Sequence, residues 1–134
     1  MRTIKNTAGF TLLEVMAVVV ILGLMAATAT LIYMNQVSKA RVSEAKLQIS
    51  EYKKAVDAYR LDHGNRIPDS LEHLCETDEY NNETMGPYLE KVVKDPWGND
   101  YIYITSGKTF EIKSLGADGD AGGEDTDKDI SSKD

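Results

Sequence analysis

Residues 9–34 read Gly9-Phe10-Thr11-Leu12-Leu13-Glu14 followed by VMAVVVILGLMAATATLIYM. The last 20 of these, 15–34, carry no charge and 17 apolar side chains. As a helix, that run is about 30 Å long, which is the thickness of the hydrocarbon core of a bilayer. The sequence therefore contains a segment able to span a membrane. Arg2 and Lys5 precede it, a short basic leader that the positive-inside rule holds in the cytoplasm. The remainder of the chain then lies on the opposite side. Ala27-Thr28-Ala29 offers a competing reading as the small-x-small site of a signal peptidase, which would leave a secreted chain starting at Thr30. Against it, the apolar run continues through Leu31, Ile32, Tyr33 and Met34, and Glu14 interrupts the region near its start.

Outside this run the chain is polar. It has 134 residues and a net charge of −7, enough for one domain. With 20 of its apolar residues in 10–34, the supply for an independent core is lean. Ala45, Ile49, Tyr52, Val56 and Tyr59 recur at spacings of four and three, which predicts an amphipathic helix with one buried stripe. Neither Pro nor Gly occurs in 24–62, so the span and the amphipathic part form one helix over 11–62, about 75–80 Å long. Gly64 and Pro68 end it. The roughly 70 residues that follow cover the stripe, and helix and C-terminal half fold as one α+β unit.

Within that half, Asp69-Ser70-Leu71-Glu72 has capping-box spacing and predicts a short helix through Leu74. Residues 76–86 have few apolar side chains and read as a variable loop. The runs 101–104 and 110–114 are β-rich and predict a hairpin with a five-residue loop, 105–109. Asp95-Pro96-Trp97-Gly98-Asn99 reads as a turn before it, with Pro fixing one φ and Gly supplying a positive one.

Gly9-Phe10-Thr11-Leu12-Leu13-Glu14, at the cytoplasmic edge of an apolar run, resembles the cleavage motif of the type IV prepilin family. The resemblance implies cutting after Gly9 by a prepilin peptidase and methylation of the new N-terminus at Phe10. Glu14 needs a partner on physical grounds, because a carboxylate beside an apolar span costs about 2.5–3.5 kcal/mol. The new amine on Phe10 of a neighbouring subunit could supply it, the pairing that the family resemblance implies for assembly. The alternative for Glu14 is snorkelling at the headgroup level. The turn 95–101 together with Ser114-Leu115-Gly116-Ala117-Asp118-Gly119 closely resembles the major pseudopilin family of bacterial type II secretion systems, and the likeness extends over 9–130. Its implied fold is type IV pilin-like, a long N-terminal helix on a small antiparallel sheet. The chain divides accordingly into a leader 1–9, a transmembrane and polymerisation helix 10–34, and a periplasmic domain 35–134.

The tail from Leu115 to Asp134 holds seven acids, two Lys and four Gly. It is either a disordered acidic tail or a Ca²⁺ loop, since Ca²⁺ takes six to eight hard oxygen ligands. The match of 118–129 to an EF-hand fails, because position five is Gly122, position twelve is Asp129 rather than Glu, and a strand precedes it. The pseudopilin resemblance implies instead one structural Ca²⁺ in the loop 115–130. Side chains of Asp118 and Asp129 and carbonyls of Leu115 and Asp120 would bind it, with Asp127 or Glu124 completing the shell. The chain departs from many pilin-like relatives in carrying Leu31 where they have a helix-kinking Pro, and in lacking an aromatic C-terminal ending.

The single Cys75 forms no intramolecular disulfide and no Cys-based zinc site; it is expected as a partly buried residue on the short helix. His63 and His73 lie outside any catalytic or metal motif, no phosphate-binding or nucleophile motif occurs, and a non-enzyme is expected. An acidic chain without a basic stripe argues against nucleic-acid binding. The resemblance implies other partners: further copies of the chain, the prepilin peptidase, minor pseudopilins and an inner-membrane assembly platform. The implied location is the bacterial inner membrane, single-pass with the C-terminal domain in the periplasm, and then a periplasmic pseudopilus that supports protein export. A type IV pilin for adhesion or DNA uptake shares the leader, though that subclass usually has a C-terminal disulfide. A secreted Ca²⁺-binding protein follows from the signal-peptidase reading.

Overall fold

The computed structural model describes residues 9–134, so most of the expected leader, 1–8, lies outside the described residues. The chain forms two compact units, one ending at Val37 and the other Ser38–Asp134. One helix, α1 (Leu12–Asp62), of 51 residues, contributes to both. Thr11 starts it, its Oγ1 accepting the Glu14 N–H at 3.2 Å. This is one half of a Thr-x-x-Glu capping box, and it places Glu14 at the positive end of the helix dipole. In the first unit the described apolar side chains from Leu12 to Met34 are exposed, and the helix is long and apolar enough to cross a membrane.

In the second unit the predicted stripe is the core. Ala45, Ile49, Tyr52, Val56 and Tyr59 are buried together with Leu71, Leu74, Leu89, Tyr101, Ile112 and Ile130. The helix ends with left-handed Gly64 and Asn65, where the Asn65 N–H returns to the Arg60 carbonyl at 2.8 Å. The Arg60 guanidinium binds the Asn65 Oδ1 at 2.8 Å. Gly64 has φ +60°, which favours glycine at the exit, and a Cβ there would press on the tip of the Tyr80 side chain, 2.8 Å away.

The short helix expected through Leu74 is present as a 3₁₀ turn, Glu72–Cys75, but without the Asp69 cap; the His73 N–H donates to the Ser70 Oγ at 3.3 Å instead. Three residues per turn align Leu71 with Leu74, and both are buried. Cys75 is half-buried on this turn, as expected. Leu74 is fully enclosed, and Leu74→Ala is expected to lower the unfolding free energy by about 2–5 kcal/mol. Chemical denaturation checks this; a loss below about 1 kcal/mol would mean that the site collapses around the deletion.

The expected loop 76–86 contains a hairpin, β1 (Asp78–Tyr80) and β2 (Glu83–Met85). Asn81 and Asn82, both at positive φ, form its two-residue turn, the backbone of a type I′ turn. The second sheet has order β3-β4-β5, all antiparallel: β3 (Ile102–Ser106), β4 (Thr109–Ser114) and β5 (Ile130–Ser131). Ser106 pairs with Thr109, so the turn is Gly107-Lys108 rather than the expected five residues. Gly107 has φ +62°, which lets the strands continue pairing to the tip. The short β5 was not legible in the acidic tail, because two residues carry no periodicity. Long helix and small antiparallel sheets make the expected α+β architecture.

Candidate functional site

The start of α1 is one candidate. Gly9 and Phe10 are exposed, Phe10 at 84%. Glu14 is also exposed, one turn in, and forms no ion pair among the described residues. A carboxylate on the first turn is favoured by the dipole, but beside an apolar face it still calls for a cation.

The second candidate is the loop between β4 and β5. The Ala117 N–H donates to the Thr126 carbonyl at 2.9 Å and the Asp129 N–H to the Gly122 carbonyl at 3.1 Å, which closes the loop on itself. At Gly116, φ +72°, a Cβ would lie 2.8 Å from the Asp127 and Thr126 carbonyl oxygens; at Gly123, φ +80°, it would lie 2.5 Å from the Asp127 oxygen. These two positions admit only glycine. Asp118 Oδ1 accepts the Asp120 N–H at 3.1 Å and Asp129 Oδ1 accepts the Gly122 N–H at 3.0 Å. Leu115, Asp118, Asp120, Glu124, Asp127 and Asp129 all lie in this closed loop, but among the described residues no three acidic side chains are grouped to hold a metal.

Residues 32–133 match the family described as type II secretion system (T2SS), protein G. The chain belongs to the type II secretion system protein G family. Residues 4–30 also match the prokaryotic N-terminal methylation motif. The type II secretion system core protein G of Vibrio cholerae serotype O1 is 39% identical over 137 residues, covering 97% of this chain and 94% of that protein. The Pseudomonas aeruginosa protein of that name is 40% identical, covering 94% of each, and the Escherichia coli K12 protein is 35% identical, covering 93% and 92%. The crystal structure of the major pseudopilin from the type 2 secretion system of enterohaemorrhagic Escherichia coli superposes with a TM-score of 0.57 at 29% identity, covering 74% of this chain and 87% of that one. The family is one of structural pseudopilin subunits, and its motif and apolar helix fit membrane anchoring.

In this chain every candidate ligand of the loop is a hard oxygen, the donor type that Ca²⁺ takes. Gly116 and Gly123 let the loop close on itself. Sequence reasoning missed what supports the loop. Asp95 is buried; its Oδ1 accepts the N–H groups of Trp97 at 3.1 Å and Asn99 at 2.8 Å, and its Oδ2 accepts the Ser114 hydroxyl at 2.7 Å. The turn was legible, but Ser114 lies at the end of β4, and nothing in the spacing signals it. Missed too is the cluster around Asp78, whose two oxygens face the Nε2 atoms of His63 at 2.9 Å and His73 at 3.4 Å. It fastens β1 to the end of α1. At the C-terminus, Lys133 and Ser131 each donate to Glu111 at 2.8 Å and hold its carboxyl down to about 2.

Proposed function

We propose that this chain is a non-catalytic structural subunit that polymerises into the periplasmic pseudopilus of a type II secretion system and thereby supports protein export. It is made as a single-pass inner-membrane precursor with its C-terminal domain in the periplasm. A prepilin peptidase cuts after Gly9 and methylates Phe10; minor pseudopilins and an inner-membrane platform take part in assembly. The observation that supports this most directly is the exposed apolar helix start, with Glu14 one turn inside it. In lipid that surface is satisfied; on assembly it exchanges lipid for the same surface of neighbouring copies. Since tails and side chains are equally apolar, packing and the pairing of Glu14 with a neighbour's Phe10 amine must decide association. Head-to-tail contacts that do not close a ring give a helical filament.

The loop 115–130 is proposed to hold one structural Ca²⁺ through the Leu115 and Asp120 carbonyls and the Asp118 and Asp129 side chains, with Asp127 or Glu124. When bound, the ion supplies charge neutralisation to an acidic segment. Asp118→Ala is expected to abolish the rise in melting temperature that Ca²⁺ gives the wild-type chain over chelator. Equal melting of the wild type with and without the ion would remove Ca²⁺ from this proposal.

The experiment for the main reading is the intact mass and N-terminal sequence of the membrane-fraction protein co-expressed with a prepilin peptidase. A chain beginning with N-methylated Phe10 supports it. A chain beginning at Thr30 has lost the polymerising helix and overturns it.

A further inference from the structure

The turn at 95–99 reaches the loop through two hydrogen bonds that bear on single peptide units. The Gly116 N–H donates to the Ser114 Oγ at 3.3 Å, and that hydroxyl in turn donates to the buried Asp95. A trans peptide sets its C=O opposite its N–H. Fixing the Gly116 N–H therefore fixes the direction of the Leu115 carbonyl, a candidate ligand of the same peptide. The next peptide is pinned from the other end, because Asn99 Nδ2 donates to the Gly116 carbonyl at 3.1 Å while its Ala117 N–H donates to Thr126. The Asn99 amide also lies against Gly119, 3.5 Å from where a Cβ would stand there. Asn99 thus contacts the loop on both sides of Asp118. Its own backbone is held twice: its N–H by Asp95 Oδ1 and its carbonyl by the Asp95 N–H at 2.9 Å.

We propose that Asn99 is a positioning residue for Ca²⁺ binding: held by Asp95, it orients the Leu115–Asp118 stretch so that the carbonyl and carboxylate ligands are presented together. The inference rests on the Ca²⁺ reading of the loop given above. Its chemical content is the donor. An amide N–H can hold a carbonyl oxygen, whereas a carboxylate of the same shape would repel it. Residues that orient metal ligands typically change affinity about 10- to 100-fold when replaced.

The test is Ca²⁺ titration calorimetry on the full-length processed chain in detergent, for wild type, Asn99→Ala, Asn99→Asp and Asp118→Ala, with melting in chelator measured alongside. Asn99 is half-exposed and outside the core, so the chelator melting points of its variants are expected to stay near wild type. Both variants are expected to bind Ca²⁺ about 10-fold or more weakly, Asn99→Asp included, although it adds a negative charge beside the ion. Wild-type affinity or tighter binding in Asn99→Asp would make the residue a mere neighbour and overturn the inference, leaving the loop reading intact. A fall in chelator melting with unchanged affinity also overturns it, as a purely structural role. Absence of Ca²⁺ binding by the wild type overturns the loop reading and this inference together. A measurement without substitution is the NMR signal of the Asn99 side-chain amide, which must shift on addition of Ca²⁺ with the same midpoint as the calorimetry; an unmoved signal overturns the proposal.

Discussion

Gly9→Leu is expected to leave the protein as an uncut precursor and to abolish its incorporation into filaments. Gly9 and Phe10 lie in an exposed segment outside the helix, before the cap residue Thr11, where a protease can reach the backbone. A residue without Cβ allows the enzyme's groove to close on the backbone; a leucine side chain holds the two apart. The consequence reaches beyond the cut. The uncut chain keeps Arg2 and Lys5 and has no free amine at Phe10, so Glu14 of the next subunit meets no cation at the helix start. A carboxylate left unpaired against an apolar surface opposes association, and the penalty recurs at every subunit junction of a filament. Intact mass of the membrane fraction and sedimentation of assembled material check both parts. A variant cut and assembled at the wild-type level would show that the side chain at position 9 is irrelevant to recognition.

The unit Ser38–Asp134 is expected to unfold cooperatively in alkali, with a midpoint between about pH 10 and 12. Burial first, then nearby acidic groups, push up the phenols of Tyr52, Tyr59, Tyr88 and Tyr101, with a carboxylate hydrogen bond adding to the rise at Tyr59 and Tyr88 and the Val93 backbone bond opposing it at Tyr52; Tyr103 is pushed up to about 12. Four of these hydroxyls donate to oxygens that cannot donate in return: Tyr52 to the Val93 carbonyl at 3.2 Å, Tyr88 to Asp62 Oδ2 at 2.9 Å, Tyr101 to Gln48 Oε1, and Tyr103 to the Pro68 carbonyl at 3.1 Å. Ionisation forfeits each of these bonds. The sign follows from linkage. The unfolded chain loses phenolic protons from about pH 10 while the folded chain retains them, so the unfolded state binds fewer protons and stability falls as pH rises. Below pH 10 the contribution is complete. Tyrosinate absorbance and far-UV circular dichroism should therefore change together. Phenols titrating near pH 10 with helix and sheet intact would mean that these side chains are solvated in the folded protein.

The long helix was legible because its two halves obey two simple rules, uniform apolarity for a bilayer and a repeat of three and four for a single buried face. Ala45, Ile49, Tyr52, Val56 and Tyr59 follow the second rule, and all five are buried. The hairpin of β3 and β4 was legible from its β-rich runs, though not its tight turn, since Thr105, Ser106 and Thr109 read equally well as loop. Residues 76–86 were misread because a three-residue strand is too short to alternate; only Asn81-Asn82 marked the turn, through asparagine's tolerance of positive φ. The cap at Asp69 does not form: the turn starts after Leu71 without a side-chain cap, and Leu71 and Leu74 are both buried against the core.

By itself, then, the sequence determined the membrane-length helix, its amphipathic continuation, the motif around Gly9 and Glu14, and the oxygen-rich loop, because each is a pattern among near neighbours in the chain. Only the tertiary structure decided that Asp95 lies under Ser114, that Asn99 holds Gly116, that His63 and His73 share Asp78, and that Ile130 returns to pair beside β4. Each of those joins lone polar or apolar residues distant in sequence, and a hydrogen bond or a strand pairing between distant residues imposes no period on the chain that carries it.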